Sequence, residues 1–399
     1  MSKYSLGTVN ISALGKRCVN SVLKSKRLSY GPFCQEFEEK FAALHSCKAA
    51  IVCSSGTAAI HTILTALKFK YGWQDDSEVI LPIVTFVATA NAIIQTGLKP
   101  VFVDIDAQTY NLDPALISAK ITTKTRAILP VHLFGKPAAM DQVLKIAKQH
   151  KLVVVEDCCE TVDAAYQGRK VGSFGAAGAF STNSAHILTT GIGGVITTNS
   201  LKLANLMRSL INHGRDTSYI SIDDDDNLSN KPLEKLVSKR FQFNQVGFSY
   251  RLSELEAALG VAQLKTLKAS LAQRQRNVNY LNQKLKPLEH LLQLPVIGNS
   301  GEYTYMVYPL VLKLEALKPK QSNLSNLLNF LEKNQIETRP FMPILWQPVY
   351  DYLKLKSKNY LIGAHCTKNG FYVGCHQDLT FKDLDYFIKK LSQFFADQQ

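Results

Sequence analysis

From about residue 50 to 200, short β-branched runs alternate with segments of helical spacing. The strand-like runs are Ala50-Ile51-Val52, Val79-Ile80-Leu81, Val101-Phe102-Val103, Ala127-Ile128-Leu129, Leu152 to Val155, Ala179-Phe180 and Val195-Ile196-Thr197. Helical patterns such as Ala58 to Lys70 and Met140 to His150 lie between them. This alternation predicts an α/β fold, a mostly parallel sheet covered by helices on both faces. Leu252 to Leu292 keeps apolar residues at helical spacing with few breakers, which predicts a long helix leaving the sheet domain. Beyond residue 300, a strand-like Met306 to Leu312 and helical Leu324 to Asn334 and Asp383 to Phe395 predict a smaller α+β domain. The expected organisation is a large domain over residues 1–250, then the long helix and small domain over 251–399. Asp216 to Lys239 interrupts the pattern: four consecutive aspartates, Asp223 to Asp226, repel one another and predict an exposed loop. That run lacks the glycine and closing glutamate of a calcium loop.

A chain of 399 residues exceeds one typical core, in keeping with two domains. Apolar residues make up 46% and charged residues 20%, yet no apolar run reaches the ~18 residues of a membrane span. The first residues, Met1 to Gly7, lack an apolar signal core. Eight scattered cysteines form no small-scaffold framework and point to reduced thiols in a cytoplasm. The net charge of +14 is spread along the chain rather than gathered with aromatics into a stripe, which argues against nucleic acid. A basic surface solvated by water accounts for it, or a mild field that steers an anionic nucleotide.

The candidate chemistry is concentrated in four places. Ser55-Gly56-Thr57-Ala58 joins a strand-like run to a helical one; its small residues let amides approach a phosphate at a helix N-terminus, or simply start a helix. Phe86 follows the next strand, where position alone suggests a core residue. Glu156-Asp157 closes the strand-like Leu152 to Val155, with Glu160 three residues on. A strand-terminal acid of this kind can serve a ligand, cap a helix or make an ion pair. Ser181 and His186 then precede the glycine-rich Gly191-Ile192-Gly193-Gly194. His365-Cys366 and Cys375-His376 carry ligand types for zinc, but a spacing of nine does not match its short ligand pairs.

Taken together, these residues resemble the cofactor-binding core of the DegT/StrS sugar-nucleotide aminotransferases, which are fold-type I pyridoxal-phosphate enzymes. The likeness runs from Glu36-Phe37-Glu38 to Gln377 and implies the aspartate-aminotransferase fold. It also implies pyridoxal 5'-phosphate or pyridoxamine 5'-phosphate as cofactor. By this resemblance Gly56, Thr57, Ala58 and Ser181 would hold the phosphate, Phe86 would stack on the ring, and Asp157 would face the ring nitrogen. Glu160 stands where many members have glutamine, within reach of the cofactor oxygen or the substrate.

Most of the family has a lysine, bonded covalently to the cofactor, where this chain has His186. One branch shares the histidine: the 3-dehydratases of nucleotide-linked 4-keto-6-deoxy sugars. There the histidine moves a proton at the cofactor while the C3 hydroxyl leaves, a task suited to an imidazole of pKa near ~6.5. One subgroup uses an iron–sulfur cluster, which needs several cysteines in the second half; this chain has none between Cys159 and Cys366. The other regenerates its amino cofactor with L-glutamate. Gly370 to Gln377 resembles an element of the same branch. Two departures stand out: Ile192 replaces a common glutamate, and Ser249 replaces an asparagine that reaches the neighbouring subunit's phosphate. The resemblance thus implies a homodimeric dehydratase with shared active sites, with His186, Asp157 and Glu160 catalytic and no metal. An aminotransferase-like enzyme without the lysine and a non-catalytic ligand-binding regulator are the rival expectations. Arg339 and Trp346 are further candidates for sugar-nucleotide contact.

Overall fold

Parallel strands are buried on both faces and therefore read as unbroken apolar runs. The chain uses that rule in the central sheet of a computed structural model, which describes residues 4–216, 229–298, 301–313, 315, 323–342 and 344–396. The strands are β1 (Ala49–Cys53), β2 (Glu78–Pro82), β3 (Lys99–Val103), β4 (Thr125–Ile128), β5 (Val153–Asp157), β8 (Ala177–Ser181) and β9 (Gly194–Thr198); β6 (Ala165–Tyr166) and β7 (Arg169–Lys170) make a separate hairpin. Their order is β1-β9-β8-β5-β4-β2-β3, parallel from β8 to β3, with β9 antiparallel to both neighbours. Each strand-like run read from the sequence falls on or beside one of these strands.

The helix Gly56–Tyr71 follows β1, is buried from Ala58 through Leu67, and is capped by Ser55 Oγ, which accepts from the Ala58 amide at 3.0 Å. The long helix runs Glu254–Leu285, shorter at its far end than the apolar pattern suggested, because Pro287 tightens the chain into a 3₁₀ turn. Its first residue holds a second helix in place: the buried Glu254 carboxylate accepts from the amides of Gly31, Phe33 and Cys34 at 2.8–3.0 Å. Farther along, Val278, Leu281 and Leu285 enter a second core.

That core is built on a four-stranded antiparallel sheet, β10 (Leu292–Gln293), β11 (Tyr308–Leu312), β13 (Gly370–Val373) and β12 (Arg339–Pro340), in that order. The helices Leu324–Lys333 and Phe381–Ala396 cover it, matching the helices expected there. Residues near the amino terminus join this region and not the large domain. Tyr4 is fully buried in the second core, bridges to Ile336, and donates its hydroxyl to the Gly374 carbonyl at 2.6 Å. The division at residue 250 is therefore crossed by the start of the chain.

Within the stretch read as irregular, Asn230–Lys239 is a helix. Leu233, Leu236 and Val237 give it a short apolar face, and Pro232 sits in the first turn, where its missing amide costs no hydrogen bond. Asp223 to Asp226 lie outside the described residues. Among those described, no helix is long and apolar enough to cross a membrane.

Candidate active site

The carboxyl ends of parallel strands gather loops and helix N-termini, and ligands bind there in open α/β sheets. A cleft of about 310 Å³ opens at that edge. Ser55, Gly56 and Thr57 come from the end of β1, Thr85, Phe86 and Thr89 from the end of β2, and Asp157, Cys159 and Glu160 from the end of β5. The segment after β8 brings Ser181 and His186. The cofactor-site candidates thus converge, with two exceptions, whereas Arg339 and Trp346, the candidates for sugar-nucleotide contact, do not line this cleft. Ala58 is turned into the helix cap and does not line the cleft. Ser249 is exposed, accepts from the Arg251 guanidinium at 3.0 Å, and lies outside the cleft of its own chain.

Neighbouring residues of a strand point to opposite faces, and this splits the acidic pair. Asp157 faces the cleft. Its Oδ2 accepts from the Thr89 hydroxyl at 2.8 Å and its Oδ1 from the Cys159 amide at 3.0 Å. Glu156 turns the other way, fully buried, and accepts from the amides of Gly172, Phe174 and Gly175 at 2.7–2.8 Å and from His132 at 3.2 Å. His132 Nδ1 accepts from the Ala138 amide, so Nε2 carries the proton that Glu156 receives. His132, Glu156 and Cys158 are close enough to share a metal ion, but hydrogen bonds already occupy the histidine and the carboxylate. Of the zinc-like residues, His376 bonds through Nε2 to the Ser5 hydroxyl and Cys375 to the Tyr305 carbonyl.

Glu160 is buried and accepts from the Phe134 amide at 2.8 Å. Burial pushes its carboxyl up to about 7, against the pull of that amide and with some help from Asp157. His186 is partly covered, but its Nδ1 is out of solvent and meets no hydrogen-bond partner. Burial pushes its imidazole down to about 4, so the ring is neutral at pH 7. Phe86 is 59% exposed on the cleft wall, an unfavourable place for a large ring unless something covers it.

A flat, phosphorylated ring fits these surroundings. A Cβ at Gly56 would lie 2.6 Å from the Cys159 sulfur and 2.8 Å from Ser181 Cβ, so only glycine lets the first helical turn approach Ser181 so closely. The N-terminal turn of a helix leaves backbone amides unpaired and favours an anion, and here Gly56 and Thr57 of that turn line the cleft. An apolar ring face, a carboxylate and an unpartnered imidazole nitrogen supply the remaining surfaces. Sequence reasoning missed Met306, Met342 and Tyr372, which reach the cleft from the small domain, and Cys159 and Thr89 beside Asp157.

A profile of the DegT/DnrJ/EryC1/StrS aminotransferase family matches residues 10–392. The chain belongs to that family. Its sequence is 37% identical over 366 residues to the GDP-perosamine synthase of Caulobacter vibrioides, covering 92% of this chain and 91% of that protein. It is 28% identical over 398 residues to the GDP-4-keto-6-deoxy-D-mannose 3-dehydratase of Escherichia coli O55:H7, covering 97% and 98%. A solved structure of the E. coli dehydratase with bound hydrated pyridoxal phosphate superposes with a TM-score of 0.87 at 28% identity, covering 98% of this chain and all of that one. The fold is that of the fold-type I pyridoxal-phosphate enzymes. The DegT/DnrJ/EryC1/StrS family works on sugar nucleotides with this cofactor, and its members close to this chain include both an aminating and a dehydrating enzyme.

Proposed function

We propose that this chain is a glutamate-dependent 3-dehydratase of a nucleotide-linked 4-keto-6-deoxyhexose, working as a cytoplasmic homodimer in deoxysugar biosynthesis. The observation that carries the reading is His186: an imidazole, with a buried and unpartnered nitrogen, faces the cleft, and none of the described residues lining it is a lysine. An imidazole cannot replace a primary amine as covalent anchor, but it can take and return a proton.

Gly56, Thr57 and Ser181 would hold the cofactor phosphate, with Ser249 contributing from the neighbouring subunit, while Phe86 would cover the ring. Pyridoxamine phosphate, when bound, supplies an amine that bonds to the sugar ketone and a ring that stores electrons. Asp157 would keep the ring nitrogen protonated, its carboxylate already oriented by Thr89 and the Cys159 amide. His186 would carry the proton whose removal lets the C3 hydroxyl depart. Glu160, at about 7, presents a proton or a lone pair with comparable ease near neutrality. Overall the sugar loses one oxygen at C3, and glutamate leaves as 2-oxoglutarate and ammonia.

The 37% identity to a GDP-perosamine synthase favours a second reading, transfer of the amino group to the sugar. Reaction in heavy water with glutamate and GDP-, CDP- or dTDP-linked 4-keto-6-deoxy sugars separates the two. Dehydration gives a 3-deoxy-4-keto product with deuterium at C3 and no sugar nitrogen. A 4-amino sugar that keeps its C3 oxygen would replace the dehydratase reading with the aminotransferase one.

A further inference from the structure

Two threonines behind Asp157 form a directed chain. Thr89 donates to Asp157 Oδ2 at 2.8 Å, and the Thr85 and Thr89 hydroxyls lie 2.8 Å apart. A carboxylate only accepts, so the single Thr89 hydrogen is committed to Asp157, and Thr85 must donate to Thr89. Both threonines are 1% exposed, so bulk water does not substitute for either. They lie one helical turn apart, Thr85 just before and Thr89 within the helix Val87–Gln95, with Phe86 as its N-cap. The same four-residue step thus sets both a cleft wall and the acid.

We propose that Thr89 is a positioning residue for the cofactor: backed by Thr85, it fixes the Asp157 carboxylate toward the ring nitrogen. The inference rests on the reading that places Asp157 against that ring. Donation from a hydroxyl polarised by a second hydroxyl is stronger than from one alone. Together with the Cys159 amide it constrains both carboxylate oxygens, so the group cannot turn away when the cleft is empty.

The test is a cycle of variants read by pyridoxal-phosphate binding, through fluorescence quenching, and by thermal unfolding of the apoprotein. Thr89→Val, nearly isosteric but without the hydroxyl, should weaken cofactor binding roughly tenfold. Thr89→Ser should restore it. In an Asp157→Asn background the same Thr89→Val change should have little further effect, because the threonine acts through the carboxylate. Wild-type cofactor affinity in Thr89→Val, failure of Ser to rescue, or full additivity with Asp157→Asn would each overturn the proposal. Thr89→Ala stands in if the valine variant does not fold. Wild-type affinity in Asp157→Asn alone would instead remove the placement of Asp157, a separate failure. Were that so, an unfolding temperature lowered by Thr89→Val and restored by Ser would show the hydrogen bond acting on the fold only, which also overturns the positioning role.

Discussion

The Phe134 amide donates to Glu160 from a residue held at φ 56°, a left-handed conformation that bulky side chains rarely adopt. Its ring is wedged against Phe341 and Tyr372, with centroids 4.9 and 5.4 Å away. Aromatic packing from the carboxyl-terminal third of the chain therefore maintains a backbone turn whose amide meets an acid in the cleft. Such strain persists where surrounding structure over-determines it, often at functional sites.

Glu160 should make stability depend on pH in a defined window. Its folded value of about 7 exceeds the ordinary 4.5, so the folded state holds the proton more tightly. The resulting stabilisation is complete below pH 4.5 and is lost as pH rises through 7. Glu160→Gln should make the apoprotein more stable than wild type at pH 8, by on the order of 1–3 kcal/mol, and leave it little changed at pH 5. Denaturant titrations at the two pH values measure this, and equal shifts at both would contradict it.

Absence of a covalent anchor is directly visible. Borohydride treatment of protein loaded with pyridoxal phosphate, followed by peptide mass spectrometry, should yield no phosphopyridoxyl-lysine. His186→Lys should create one at residue 186, gain the absorbance of a Schiff base, and lose dehydration. His186→Asn should still bind cofactor while turnover falls about 10²–10⁴-fold.

The imidazole of His186 should respond to the cofactor's charge. Burial holds it near 4, below the ordinary 6.5, so apoprotein stability attributable to this group is present above pH 6.5 and lost as pH falls toward 4. A bound phosphate dianion favours the protonated ring and should raise that value. NMR titration of labelled histidine, assigned with His186→Asn, would show the resonance moving upward in pH on cofactor addition; an unchanged midpoint would place the phosphate far from residue 186.

Glu156 should matter for stability more than for chemistry. Glu156→Gln turns an acceptor facing three amides and an imidazole into a partial donor. The loss should be on the order of 3 kcal/mol, read as a lower denaturation midpoint. A variant as stable as wild type would mean that the loop 172–175 does not depend on this carboxylate.

The central sheet was legible because its strands are uninterrupted apolar runs; Gly56, Asp157 and Ser181 were singled out by the resemblance, and they line one cleft because each stands at or just beyond a strand end. Phe86 was singled out only by the resemblance, since its position alone suggests core, and Thr89 was passed over, because a threonine in a helical run carries no outward mark of its partner 68 residues away. Met306, Met342 and Tyr372 were illegible for a related reason: tertiary packing alone brings the small domain to the cleft. The 230–239 helix was obscured by its neighbouring aspartates, although Leu233, Leu236 and Val237 had the spacing to reveal it.

Tyr4 finds its partner, the Gly374 carbonyl, 370 residues later. At ~5–20 residues per second, synthesis takes roughly 20–70 s to span that interval. For all that time an aromatic destined for a sealed interior travels beside the ribosome without its pocket, while the large domain has the chance to fold. Closure of the Tyr4 pocket is therefore a late event in the birth of the molecule, and Tyr4 settles long after it is made.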